Sequence, residues 1–160
     1  MAGDRQDKGQ LSSTGIRIEL LRNGLDLARQ HGLAGAGYAN YAAVHGQAAQ
    51  ARYGADPQRQ IYLQSHWVAT TNPHNEYLMQ LVGGGIVALA LFLAWVALPM
   101  ARRGPAGVTG MTVGVSLAFA VGCLFNSLLM DFVEGHVYGV LLAWLLAQSA
   151  QPAQAGAAQP

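Results

Sequence analysis

Charge is scarce in this chain: 11% of its residues are charged, against about 25% in ordinary soluble domains. The deficit is uneven. Seven of the nine lysines and arginines precede residue 60, and the other two are the adjacent Arg102 and Arg103. A polar first half therefore joins an apolar second half. A net charge of +1, with no basic stripe carrying interleaved aromatics, gives no case for a nucleic-acid partner. Cys123 is the only cysteine, so no intrachain disulfide forms, and its apolar surroundings give it the role of a small hydrophobe. Residues 1–15 have no apolar core and cannot act as a signal peptide. If the first 70 residues lie outside the cytoplasm, an upstream segment must export them. The chain then reads as the C-terminal part of a larger polytopic protein. Heptads and internal repeats are also lacking.

What is present is a long apolar run behind a polar head. Tyr77 to Ala101 carries no formal charge over 25 residues. As a helix, Tyr77–Met100 would measure about 36 Å, enough to cross the ~30 Å hydrocarbon core of a bilayer with some tilt. The head is Asn72-Pro73-His74-Asn75. Asn72 can cap the helix and Pro73 suits its first turn, where no N–H is needed. His74 then falls in that first turn, facing unpaired N–H groups and the positive end of the helix dipole. That field disfavours imidazolium, so a neutral histidine able to accept a proton is expected there.

The first half reads as helix, turn and helix. After a polar lead-in, Ser13 or Thr14 starts a helix over about 14–30, with Ile18, Leu21, Leu25 and Ala28 as one apolar stripe. Arg17, Arg22, Asp26 and Arg29 lie mostly off that stripe, and Arg22–Asp26 can pair at i,i+4. Gly32 ends the helix. Such a helix fits a membrane surface, a neighbouring helix or solvent equally well. The glycines of GLAGAGYANY, Gly32 to Tyr41, permit close backbone approach. They lack the preceding strand and the frame of a dinucleotide site. Residues 40–53 are Ala-rich and read as helix, Gly54–Pro57 as a turn, and Arg59–Thr71 as either a short helix or extended chain.

Spans are expected at about 75–100, 108–129 and 136–148, followed by a polar, low-complexity tail over 149–160 that is expected to be disordered. The run Gly83-Gly84-Gly85 offers close helix packing or a local bend. Arg102 and Arg103 place the short loop 101–107 in the cytoplasm. Tracing outward, residues 1–73 are extracytoplasmic, and the loop Met130–His136 returns to the same face as His74. His74, Asp131, Glu134 and His136 would share that face, with Asn126 and Ser127 just inside it. A zinc site drawn from those four is conceivable by ligand type, but no close-spaced pair such as H-x3-H supports it. The fold class expected is an all-α membrane protein, a helical extracytoplasmic segment over 1–73 followed by three transmembrane helices over 74–148.

In this order, three features resemble the bacterial O-antigen ligase and polymerase superfamily of polytopic membrane glycosyltransferases. They are the S-T-G-I-R helix entry, Ser13 to Arg17; the glycine-rich turn Gly32 to Tyr38; and His74-Asn75, nine residues, then Gly85. The likeness covers about residues 12–148, the C-terminal third or so of a typical member. It implies transfer of a glycan from undecaprenyl pyrophosphate to an acceptor hydroxyl at the periplasmic face of the inner membrane. The acceptor is a lipid A–core sugar in ligases, another repeat unit in polymerases and a protein side chain in related enzymes. His74 matches the family's catalytic histidine and Arg17 a loop arginine that engages pyrophosphate. Membrane lipid and the missing upstream helices are the other partners implied, and no cofactor or metal is.

The chemistry suits those roles. A sugar hydroxyl is a poor nucleophile and needs a positioned base. A guanidinium can bind the departing pyrophosphate bidentately. Direct displacement would invert the anomeric carbon, and arginines can stand electrostatically where a metal otherwise would. Asn75 is expected to orient His74 or cap the helix, and to contact substrate. Asp131 and Glu134 would line the acceptor site. Arg22 and Arg29 read as surface, and His31, His45 and His66 as loop or helix-end residues. Trp67, Trp95 and Trp144 read as interfacial anchors or packing. The rival from another class is a non-catalytic membrane subunit that docks a partner through helix 14–30.

Overall fold

The computed structural model describes residues 13–55 and 72–150. Helix is the only regular structure among them: α1 Ser13–His31, α2 Tyr41–Tyr53, α3 Glu76–Ala97, α4 Ala106–Gly122 and α5 Phe132–Ser149. Short 3-10 turns at Tyr38–Asn40 and Leu98–Ala101 precede α2 and extend α3. The lead-in, the Arg59–Thr71 segment with His66 and Trp67, and the tail from residue 151 lie outside the described residues. The chain divides into two compact units, one of residues up to Ala90 with Cys123–Ser127, the other of Leu91–Gly122 with the residues from Leu128 on.

In the first unit α1 turns a different face inward from the one its spacing suggests. Ile18, Leu21 and Leu25 are exposed, while Leu20, Asn23 and Leu27 are buried. The reason lies in what packs there. Leu27 joins Tyr41 of α2 and Met79 and Val82 of α3 in one apolar cluster. Full burial of a side chain such as Leu27 contributes roughly 1.5–3 kcal/mol. The charges follow that packing. Asp26 pairs with Arg29 at 2.9 Å and with Arg52 of α2, so the expected Arg22–Asp26 pair does not form. Arg22 pairs instead with Glu19 at 2.8 Å, and Glu19 also accepts from the Tyr53 hydroxyl. His45, expected at a helix end or in a loop, is fully buried in the middle of α2. Its ring stacks on Tyr41 with centroids 5.8 Å apart.

α3 is not one unbroken helix. Gly85 has φ 73 and ψ −169, a conformation that interrupts the ladder, and the glycine-rich loop after α1 fills the gap. In a continuous helix the Val82 and Gly83 carbonyls would accept from residues 86 and 87. Here they accept from Ala36 at 2.7 Å and Gly37 at 2.9 Å, while the Ile86 N–H donates to the Leu33 carbonyl at 3.3 Å. A Cβ on Gly85 would strike the Leu33–Gly35 backbone, and one on Gly35 (φ 81) would strike Gly83–Gly85. The two glycine runs thus face each other, backbone against backbone. Glu76–Ala101 is the one helix among the described residues long and apolar enough to cross a membrane.

In the second unit α4 and α5 pack antiparallel, with Gly104 near Ser149 and the Tyr138 hydroxyl donating to Ser116 Oγ at 3.2 Å. Thr112, Ser116 and Phe119 of α4 and Tyr138, Leu142 and Leu145 of α5 are buried, each set at 4-3 spacing. Phe119 stacks on Tyr138 at 4.0 Å, and Trp95 sits edge-on to Tyr138 at 4.9 Å. Trp95 therefore packs against Phe119 and Tyr138 within this unit. Small and hydroxylated residues at such a contact are characteristic of helices meeting in lipid. α4 ends at Gly122, short of the expected 129, and residues 123–130 form turns. Apolarity alone suggested that the helix continues, but the carbonyls of Cys123 and Leu124 are committed elsewhere. α5 begins earlier than the expected 136, so Glu134 and His136 are helical rather than in a loop.

Candidate catalytic site at the entry of α3

The site is built where Asn72–Glu76 meets Cys123–Asn126, all within the first unit. α3 starts at Glu76, and Asn75, not Asn72, is its cap. The Asn75 Oδ1 accepts from the Leu78 N–H at 3.0 Å, the geometry of an N-cap side chain on the third helical residue. Its Nδ2 donates to the Leu124 carbonyl at 3.1 Å. The Glu76 N–H, left over in the first turn, donates to the Cys123 carbonyl at 2.8 Å. These bonds tie the mouth of α3 to the 123–126 turn and explain why α4 stops where it does.

His74 stands before the cap rather than in the first turn. Its backbone is left-handed, φ 52, the only non-glycine residue so placed among those described. The Asn72 Oδ1 holds it there by accepting from the His74 N–H at 2.7 Å. Histidine, with asparagine and aspartate, is among the residues that enter this region most readily. A non-glycine residue there still costs of order 1–3 kcal/mol, and such strain clusters at working sites. The ring is exposed, and its Nδ1 lies 3.0 Å from the Asn126 Oδ1. An amide oxygen only accepts, so opposite Asn126 Oδ1 the Nδ1 is the donor, and Nε2 is the acceptor of a neutral ring.

Glu76 is a residue that sequence reasoning passed over. Its side chain is fully buried, and the Gln80 Nε2 donates to its Oε1 at 2.6 Å. The Tyr38 hydroxyl in turn donates to the Gln80 Oε1 at 2.5 Å. The chain Tyr38–Gln80–Glu76 fastens the glycine loop to the top of α3. A carboxylate in a helix's first turn is favoured by the dipole. The polar trio His-Asn-Glu before an apolar run was the available signal, as was the Asn126-Ser127 pair interrupting another.

The other expected residues are placed differently. Arg17 is exposed on α1 and lies outside the hydrogen bonds of this cluster. Asp131 stands at the N-cap position of α5 and Glu134 is exposed in its first turn, both in the second unit. Among the described residues no three His, Cys, Asp or Glu side chains gather as metal ligands.

Helix throughout the described residues, with one long apolar span among them, is the make-up of a membrane-embedded protein. The sequence profile of the O-antigen ligase family matches residues 1–93 of the 160. The chain belongs to that family, one of membrane glycosyltransferases of the O-antigen ligase and polymerase type. The match takes in Arg17, His74 and Asn75 and stops before Asn126. Neither the curated proteins nor the solved structures provide a match.

Proposed function

We propose that His74 is the general base of a glycan transfer from undecaprenyl pyrophosphate to a hydroxyl of a lipid A–core sugar. Nε2 takes the hydroxyl proton as that oxygen bonds to the anomeric carbon. The bond from that carbon to the pyrophosphate breaks, its electron pair leaves with the lipid pyrophosphate, and the configuration inverts. Arg17 binds the leaving group as a fixed cation, so that no metal is called on. The acceptor side faces the periplasm, because Arg102 and Arg103 hold the other end of the span in the cytoplasm. The observation that supports this reading is the 3.0 Å contact of His74 Nδ1 with Asn126 Oδ1, which favours the tautomer that has Nε2 as its acceptor. Its setting in a family of such transferases gives the reaction class.

The test is substitution in the full-length protein. His74→Ala should abolish O-antigen ladders, a loss of about 10²–10⁴-fold for a removed base, with membrane abundance unchanged. Arg17→Lys should impair transfer as well, because lysine cannot bind bidentately. Normal ladders from His74→Ala would end the proposal, and full turnover from Arg17→Lys would return Arg17 to the surface.

A further inference from the structure

The glycine-rich loop is hydrogen-bonded to α3 well below its mouth, and this sets the loop's depth. Along α1, Gly24 lies against Leu78, Leu27 against Met79 and Val82, and Gly32 against Leu81. The Leu33 carbonyl then accepts from Ile86. From 24 to 33 the contacts advance from 78 to 86, so α1 runs alongside α3 and in the same direction. Beyond Leu33 the chain turns back, with Ala36 on Val82, Gly37 on Gly83 and the Tyr38 hydroxyl on Gln80. The path is a V whose tip lies ten residues into the span.

Length decides whether that tip is in lipid. Residues 76–101 rise about 39 Å along a helix, against ~30 Å of hydrocarbon. A centred span would cross the boundary near Met79, leaving Leu33 about 10 Å beneath it. Raising the tip into water would leave only residues 86–101, about 24 Å, to cross the bilayer. The loop's composition agrees. Leu33-Ala34-Gly35-Ala36-Gly37 has no polar side chain, and Leu33 is 86% exposed. The Gly35, Ala36 and Gly37 N–H groups all have backbone acceptors, at 2.7, 2.7 and 2.9 Å. Non-helical backbone at membrane depth is tolerated where protein covers it, and the half-buried Gly35–Gly37 backbone lies against that of Val82–Gly85. Arg29, whose side chain is 79% exposed, stands one turn, about 6 Å, above the tip, from where its long side chain can carry the guanidinium up to the lipid phosphates.

We propose that the end of α1 and the Leu33–Tyr38 loop form a re-entrant segment in the half of the bilayer where α3 begins, with Leu33 against acyl chains. This rests on Glu76–Ala101 spanning the membrane and does not depend on any role of His74. The test uses single nitroxide labels on the full-length protein in phosphatidylethanolamine–phosphatidylglycerol vesicles, comparing collision with oxygen and with a water-soluble nickel chelate. The sites are Leu33→Cys, Leu91→Cys in the span and Gln47→Cys, exposed on α2. Labels at 33 and 91 should favour oxygen, and the label at 47 should favour nickel. A residue-33 label meeting nickel as freely as residue 47 would overturn the proposal. So would one shielded from both reagents, since protein rather than lipid would then cover the site. A residue-91 label in water would remove the span and the proposal with it.

Discussion

At the scale of single residues, the proposed role of His74 as base is testable through its neighbour Asn126. If Asn126 holds the ring in one tautomer, its loss should act on turnover rather than binding. Asn126→Leu should cut kcat by at least about tenfold with KM nearly unchanged. Asn126→Asp keeps an acceptor opposite Nδ1 and should retain transfer. A KM effect alone from either variant would count against a positioning role.

Tyr41 offers a test of the interior of the first unit. It is fully buried, and its hydroxyl has no partner among the described residues. Burial raises its pKa above the ordinary 10.0. Tyr53 is raised as well, first by burial and then by its bond to Glu19. A phenol whose folded pKa is raised contributes its full stability below the ordinary value and loses it as pH climbs beyond. Thermal unfolding should therefore show a decline above about pH 10. Tyr41→Phe should be neutral or stabilising by up to about 1 kcal/mol near pH 7, because it removes an unsatisfied hydroxyl. It should also lessen the alkaline decline, which melting curves at pH 7 and pH 10.5 (about half a unit above the ordinary tyrosine value) would reveal.

At the scale of elements, the broken α3 is the feature on which the others depend. The Gly85 backbone lies in a region essentially confined to glycine. Gly85→Ala should cost about 3 kcal/mol or more and lower the yield of folded protein in detergent. Gly114, inside α4, has nothing near its missing Cβ. Gly114→Ala should be tolerated or gain up to about 1 kcal/mol. Equal effects of the two substitutions, by thermal unfolding, would mean that the break is unimportant. The sequence run Gly83-Gly84-Gly85 allowed either close packing or a bend. Choosing between them required knowing that another glycine-rich loop supplies the missing hydrogen-bond partners.

At the scale of the whole molecule, the proposed orientation rests on the arginine pair at 102–103 and on the polar segment that precedes α3. Thr14→Cys on the exposed start of α1 should react with an impermeant maleimide in intact spheroplasts. Arg103→Cys should react only after permeabilisation. The opposite pattern would turn His74 toward the cytosol and leave its proposed reaction without a substrate.

The sequence by itself determined the helical class, the extents of α1 and α2, the long span and the family, because these rest on local periodicity, apolar length and a motif whose parts lie close together. Only the tertiary structure decided which face of α1 is buried, where α4 stops, which asparagine caps α3 and what braces His74. Each of those depends on a partner far along the chain: Leu27 on Met79, Asn75 on Leu124, His74 on Asn126. Hydrogen bonds and contacts between distant residues leave no periodic trace, and where they compete with local propensity they prevail.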